Sequence, residues 1–179
     1  MRLPGVSNPD VPAISGVSLP HPHPVVSNTT PLISLAGVGL LDLLPNIYGE
    51  IWIPEVVFAE YQTGLVTHAG SPDLATLAWL IVHPVAPHPD VSTSLDAGEA
   101  AALALALHSS AQLVLLDEQR ARREATRLGL PIAGSLTLLL EAKRRGLLLL
   151  VGPALDQMIA QGRRISVDLK AHVLALAGE

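Results

Sequence analysis

The sequence predicts an α/β fold, a three-layer α/β/α sandwich around a parallel sheet, and three observations carry that prediction. After residue 24, short apolar runs alternate with longer stretches of helical period, the pattern of successive βαβ units. The apolar 49% of the chain is mostly Leu, Ala and Val, with only 3% aromatic residues, which suits strands covered on both faces by helices. The 179 residues are the length of one domain, commonly roughly 100–200 residues.

Residues 1–24 contain six of the 15 prolines and the run His21-Pro22-His23-Pro24, with no apolar period. They read as a disordered Pro-rich extension, leaving 25–179 as the folded domain. Two histidines in a proline-extended backbone favour a passive tail over a metal site. Val25–Ser27 is the first expected strand, followed by a helical pair at Pro31–Ala36 and Leu40–Leu44. Glu50–Ile53 is the second strand. Pro54 suits the first position of the helix carrying Val56, Val57 and Tyr61. Ser71-Pro72 opens another helix in the same way, before a strand at Trp79–Val85. Asp96–His108 is an amphipathic helix, Leu113–Leu116 a strand, and Gln119–Leu128 a helix stopped by Gly129. Ile132–Ala133 is the last strand, Ser135–Arg145 a helix stopped by Gly146, and Pro153–Gln161 and Asp168–Ala177 close the chain.

Mean hydropathy is high, +0.43. The longest apolar stretches, Ala100–Leu107 and Gly146–Leu155, still fall well short of the ~18–20 residues of a spanning helix, so no membrane segment is expected. The first residues lack a charged segment leading into an apolar core, so no secretory signal is expected either. With no cysteine, disulfide scaffolds, thiolate zinc sites and cysteine nucleophiles are excluded, and a reducing, cytoplasmic setting fits. The net charge of -5 is unevenly spread: residues 1–119 hold 11 Asp/Glu against Arg2 alone, and residues 120–179 hold 10 Lys/Arg against five Asp/Glu. Such a chain can set an acidic pocket beside a basic rim, although basic runs on helices more often only solvate a face.

Ligands of open α/β sheets bind at the carboxyl ends of the strands, where the strand order reverses. That rule selects Asn28-Thr29-Thr30 after the first strand and Asp117-Glu118 after Leu113–Leu116. The helix entering that strand starts at the same edge and brings Asp96 and Glu99. Carboxylates and an amide oxygen are hard ligands suited to Mg²⁺ or Mn²⁺. Each residue has a structural reading too. Asp96 and Glu99 have the spacing of a capping box, favoured for Asp96 and evenly balanced against a ligand role for Glu99. Asn28-Thr29-Thr30-Pro31 is a competent helix start, and Asp117-Glu118 suits the positive end of the next helix. The histidines lack a metal-helix spacing, no serine sits in a nucleophile elbow, and no Gly-rich phosphate loop occurs.

Four segments in this order carry a resemblance. They are Val25-Val26-Ser27-Asn28-Thr29-Thr30-Pro31-Leu32-Ile33, Ile53-Pro54-Glu55-Val56-Val57 leading to Glu60, Leu95-Asp96-Ala97-Gly98-Glu99-Ala100, and Leu115-Leu116-Asp117-Glu118. Continuing through Arg120, Arg123, Gly134-Ser135 and Ala142-Lys143-Arg144-Arg145-Gly146, the chain resembles the PIN-domain superfamily, in a branch similar to the VapC-like toxins of toxin–antitoxin pairs. The resemblance implies a ribonuclease dependent on one or two Mg²⁺ or Mn²⁺ ions, a sheet ordered 3-2-1-4-5, a cognate antitoxin and a homodimer. It places the acidic quartet on Asn28, Glu60, Glu99 and Asp117, with Ser135 as a supporting hydroxyl; Thr29, Asp96 and Glu118 are supporting candidates from their place at the sheet edge. Glu60 is chosen by the resemblance alone, since Glu55 is nearer the rim. Asn28 departs from the aspartate that usually opens the family's quartet, and the missing charge predicts lower metal affinity. Arg120 and Arg123, one turn apart, are candidate phosphate contacts, with Lys143, Arg144 and Arg145 further off. Two rivals stand beside this reading: a non-catalytic RNA- or protein-binding module, and a DNA-directed nuclease, against which the small size and lack of a helical arch argue.

Overall fold

Val25 and Val26 are both buried yet belong to two different apolar clusters, because successive strand residues point to opposite faces of a sheet. They open β1 (Val25–Ser27), the middle strand of a five-stranded parallel sheet in the computed structural model, which describes residues 23–65 and 72–179. The other strands are β2 (Ile51–Pro54), β3 (Leu80–His83), β4 (Leu113–Leu115) and β5 (Ile132–Ala133), in the order β3-β2-β1-β4-β5. Every neighbouring pair is parallel, with Val25 opposite both Ile51 and Leu113. The expected 3-2-1-4-5 sheet is therefore present.

Around it stand helices α1 (Thr29–Gly37), α2 (Leu43–Tyr48), α3 (Glu55–Leu65), α4 (Ala97–His108), α5 (Gln119–Arg127), α6 (Ser135–Arg144), α7 (Gly152–Ala160) and α8 (Val167–Ala177). One face of the sheet, through Val25, Ile51, Ile53 and Leu115, packs on Leu32 and Leu35 of α1, Leu44 of α2, Val57 and Tyr61 of α3, and Leu138 and Leu139 of α6. Leu155, Met158 and Val173 bring α7 and α8 into the same cluster. The other face, through Val26, Val114 and Leu116, packs on Ala102, Leu103 and Ala106 of α4 and Ala121 and Ala125 of α5. Each fully buried leucine is worth about 1.5–3 kcal/mol of transfer free energy. Small alanines let α4 and α5 lie close to the strands. No helix among the described residues is long and apolar enough to cross a membrane.

Most expected elements lie within a few residues of their observed positions. The second helix does not: it runs Leu43–Tyr48 rather than Leu40–Leu44. Leu40 is used to close α1, its N–H donating to the Leu35 carbonyl, and Pro45 sits inside the first turn of α2, where its missing N–H is no loss. Pro54 ends β2, paired with His83, and α3 starts one residue later. The helix expected from Ser71-Pro72 is a single 3-10 turn, Leu74–Thr76, capped by Asp73. Ser71, and the Pro-rich extension through residue 22, lie outside the described residues. The third strand is also shorter than expected, four residues at Leu80–His83.

Parallel crossovers place the start of every helix that follows a strand at the carboxyl edge of the sheet. Asn28, Glu55, Asp117 and Ser135 therefore all lie along one rim, and α4, which leads into β4, begins there as well.

Candidate metal centre and its basic rim

Asn28 follows β1 directly, is 4% exposed, and caps α1 by accepting from the Thr30 N–H at 3.2 Å. Its side-chain amide donates to Glu118 Oε2 at 3.4 Å, and its backbone N–H continues the sheet ladder to the Leu115 carbonyl. Asn28 and Glu118 thus join the ends of β1 and β4.

Asp96 and Glu99 form the capping box that their spacing predicts. The Glu99 N–H donates to Asp96 Oδ1 at 2.7 Å, and the Asp96 N–H donates to Glu99 Oε2 at 3.2 Å. Asp96 is exposed, whereas Glu99 is only 4% exposed. Burial pushes the Glu99 carboxyl above the ordinary carboxylate range, and the nearby charges of Asp96 and Glu118 push it the same way. The Asp96 N–H and Arg120 pull it back only in part. A buried carboxylate raised by burial and like charge marks a place where a cation would be stabilised.

Glu60 reaches the rim from partway down α3. The Thr29 hydroxyl donates to its Oε2 at 2.5 Å, and its carboxylate rests on Gly98 in the first turn of α4. An added Cβ at Gly98 would fall 2.5 Å from Glu60 Oε2 and 2.8 Å from Oε1, so α4 leaves room for this group only because residue 98 has no side chain.

The Asp117 side chain is only 6% exposed. Its Oδ1 accepts from the Ser135 N–H at 2.8 Å, and its Oδ2 accepts from the Ser135 hydroxyl at 2.6 Å and from Ser34 Oγ at 3.5 Å. Arg163 completes the shell with an ion pair at 2.8 Å. Gly134 permits this packing, since a Cβ there would lie 2.9 Å from Asp117 Oδ1. Ser34, Arg122 and Arg163 were not selected by sequence reasoning. For Arg163 alone the uneven charge distribution is a signal, because an acidic rim needs counter-ions from the basic part of the chain.

Asn28, Glu60, Glu99 and Asp117 offer oxygen donors only, which fits a hard divalent cation in kind. Among the described residues, however, no three Asp, Glu or His side chains stand close enough together to enclose an ion. Glu60 is held by Thr29, Glu99 by the cap, and Asp117 by Ser135 and Arg163.

The basic residues divide clearly. Arg120 donates to the Ser94 carbonyl and so spans α5 and the loop before α4, close to Glu99. Arg122 turns inward and donates to the Leu116 carbonyl at 2.9 Å. Arg123 is exposed and makes no hydrogen bond or ion pair among the described residues. Lys143, Arg144 and Arg145 lie at the far end of α6 from Ser135, paired with Glu179 and Glu141. Beside Asp117 opens a cleft of about 390 Å³ with Arg122, Arg163, Arg164 and His172 at its rim and Leu136 and Leu169 among its apolar walls.

No curated protein matches the chain. A family model described as a PIN domain matches residues 24–179, the whole of the sheet, all its helices and every residue of the rim. PIN domains have a nuclease-type fold and typically use divalent metal ions. With the parallel 3-2-1-4-5 sheet and oxygen donors gathered where its strand order reverses, the chain belongs to the PIN-domain family.

Proposed function

We propose that this protein is a divalent-cation-dependent ribonuclease that hydrolyses phosphodiester bonds, acting in the cytoplasm as the homodimeric toxin of a toxin–antitoxin pair. One observation carries the reading: Asn28, Glu60, Glu99 and Asp117, from four separate segments, meet the carboxyl edge of a PIN sheet beside a basic cleft. Glu99 and Asp117 would be direct ligands of Mg²⁺ or Mn²⁺, with Asn28 a neutral donor and Glu60 a further acidic donor. When bound, such a cation supplies Lewis acidity and lowers the pKa of water. The chain's own groups do the rest. Ser135 and Thr29 hold Asp117 and Glu60 in place through hydroxyl donors. Arg120 and Arg123 contact backbone phosphates on one side of the rim, and Arg164 and His172 line the other. The reaction adds water across phosphorus: a P–O bond forms, the opposite P–O bond breaks, and one strand end keeps the phosphate while the other gains a hydroxyl.

A second reading, a non-catalytic nucleic-acid-binding module, is favoured by the Asp117–Arg163 ion pair, which already neutralises the central carboxylate. The test is incubation of the full chain with single-stranded RNA in Mg²⁺ or Mn²⁺, with a chelator control and single-stranded DNA as a parallel substrate. Cleavage that the chelator abolishes, and that Asp117→Asn lowers by about a hundredfold or more, supports the assignment; loss of one charged group can cost several kcal/mol of transition-state stabilisation. Full activity in Asp117→Asn would overturn the site. RNA binding without cleavage at any Mn²⁺ concentration would establish the non-catalytic module, and cleavage of DNA alone would establish a DNA-directed enzyme.

A further inference from the structure

Most of the hydrogen-bonding capacity of Asp117 is already in use. A carboxylate offers about four lone-pair positions, and here the Ser135 N–H, the Ser135 hydroxyl and the Arg163 guanidinium take three, with Ser34 Oγ a distant fourth neighbour. Three of these are fixed or weak. Ser135 is 1% exposed and begins α6, so both of its bonds belong to that helix start. Ser34 lies at 3.5 Å and is committed to the Thr30 carbonyl at 2.8 Å. Arg163 is different in charge and in access, because its side chain is 32% exposed and lines the open cleft. Its backbone is anchored, the Arg163 N–H donating to the Met158 carbonyl at 3.0 Å and Gly162 turning the chain at a φ of 93°. The guanidinium can therefore leave Asp117 by side-chain rotation while the fold stays in place.

We propose that Arg163 is a tethered counter-ion for Asp117 that a divalent cation displaces, so that the Asp117–Arg163 pair and cation binding exclude one another. The proposal rests on the metal-dependent reading above. Two positive charges cannot share one carboxylate oxygen at contact distance without strong repulsion. While the pair is closed, the carboxylate is neutralised; once it opens, Asp117 recovers a lone pair and a full charge, and the guanidinium swings into the cleft. Arg163 is thus a positioning residue that sets the cation concentration at which the site assembles.

Calorimetric titration with Mn²⁺ of the full-length wild type, Arg163→Met and Arg163→Lys tests this. Arg163→Met keeps the apolar stem and removes the competing charge, so it should bind Mn²⁺ at least about tenfold more tightly, the scale set by removing a partly buried pair. Arg163→Lys keeps the charge and should stay near wild type. Without metal, Arg163→Met should unfold at a lower temperature and show the larger Mn²⁺-induced rise. A second measurement needs no folding-sensitive variant: in wild type, the Arg163 Nε–H resonance should shift as Mg²⁺ is added. Equal or weaker Mn²⁺ affinity in Arg163→Met, or an unmoved Arg163 resonance while Mg²⁺ binds, would overturn the proposal and leave the metal-dependent reading standing. Absence of Mn²⁺ binding in all three proteins would overturn that reading and the proposal with it.

Discussion

The Glu60 carboxylate occupies the space that a side chain on Gly98 would need, with an ideal Cβ there only 2.5 Å from Glu60 Oε2. Gly98 stands in the first turn of α4, one residue before Glu99, so this contact sets the distance between two acidic positions of the rim. In Gly98→Ala the added methyl must push the end of Glu60 aside and away from the Thr29 hydroxyl. The displaced atoms are the far end of a flexible side chain, so the fold should tolerate the change; replacing glycine within a helix by alanine is worth up to about 1 kcal/mol in its favour. Activity and stability should therefore move apart. We expect the melting temperature to hold or rise while nuclease activity falls by about tenfold or more. Unchanged activity would show that Glu60 does no work at the rim.

Glu99 makes stability depend on pH. Its carboxyl is raised above its ordinary value near 4.5, first by burial and then by Asp96 and Glu118. The folded state thus holds this proton more tightly than the unfolded chain. The associated stability is fully present below 4.5 and is lost as pH rises through the raised value. Glu99→Gln keeps an oxygen to accept the Asp96 N–H and has no such titration. The wild type should lose stability relative to Glu99→Gln as pH climbs from about 4 towards neutrality, read as the difference in melting temperature without metal. A difference constant over that range would mean that charging Glu99 costs nothing in the fold.

The sheet was legible because each strand is an apolar run between helical periods, and the rim because a parallel sheet exposes whatever follows its strands: Asn28 after β1 and Asp117 after β4 needed no further information. Asp96 and Glu99 declared their capping box through spacing alone. Glu60 was different. Its position depends on Gly98 leaving room in another helix, and no local pattern on α3 reports that. Arg163 is equally hidden, since Gln161-Gly162-Arg163-Arg164 reads as an ordinary helix end; only the tertiary approach of the α7–α8 loop to β4 makes it a partner of Asp117. The second helix lies later than its apolar run predicts, because Leu40 closes α1 and Pro45 fits the first turn of α2.

Helix α5 sorts its arginines by what each already holds, and the sorting predicts salt dependence. Arg123 has no partner among the described residues, so Arg123→Gln should leave stability within about 0.5 kcal/mol and reduce the log–log salt slope of single-stranded RNA binding by about 0.7. Arg120→Gln should reduce the slope similarly and also release the Ser94 loop. Arg122 donates inward to the Leu116 carbonyl, so Arg122→Gln should cost about 1–3 kcal/mol of stability and leave the slope alone. Titrations at several salt concentrations separate the three. A slope unchanged by Arg120→Gln and Arg123→Gln together would make this face a solvated surface.

Asn28 decides how much charge the rim carries. Its Oδ1 caps the Thr30 N–H and its Nδ2 donates to Glu118 Oε2, so the residue is at once a helix cap and a link to the segment that holds Asp117. Asn28→Asp preserves the cap, because aspartate and asparagine cap about equally well. It also turns the donor facing Glu118 into an acceptor bearing a negative charge. With no cation present, two carboxylates then meet at 3.4 Å where a hydrogen bond stood, near the buried Glu99, and the variant should unfold at a lower temperature than wild type. With Mn²⁺ the sign reverses. The added charge should tighten cation binding, and since a ligand of the folded state stabilises it by RT ln(1 + [L]/Kd), the Mn²⁺-induced rise in melting temperature should exceed that of wild type. Cleavage should rise with it wherever cation occupancy limits the rate. A lower melting temperature without metal, together with a metal-induced shift equal to wild type, would confine Asn28 to linking β1 and β4 and remove it from the cation site.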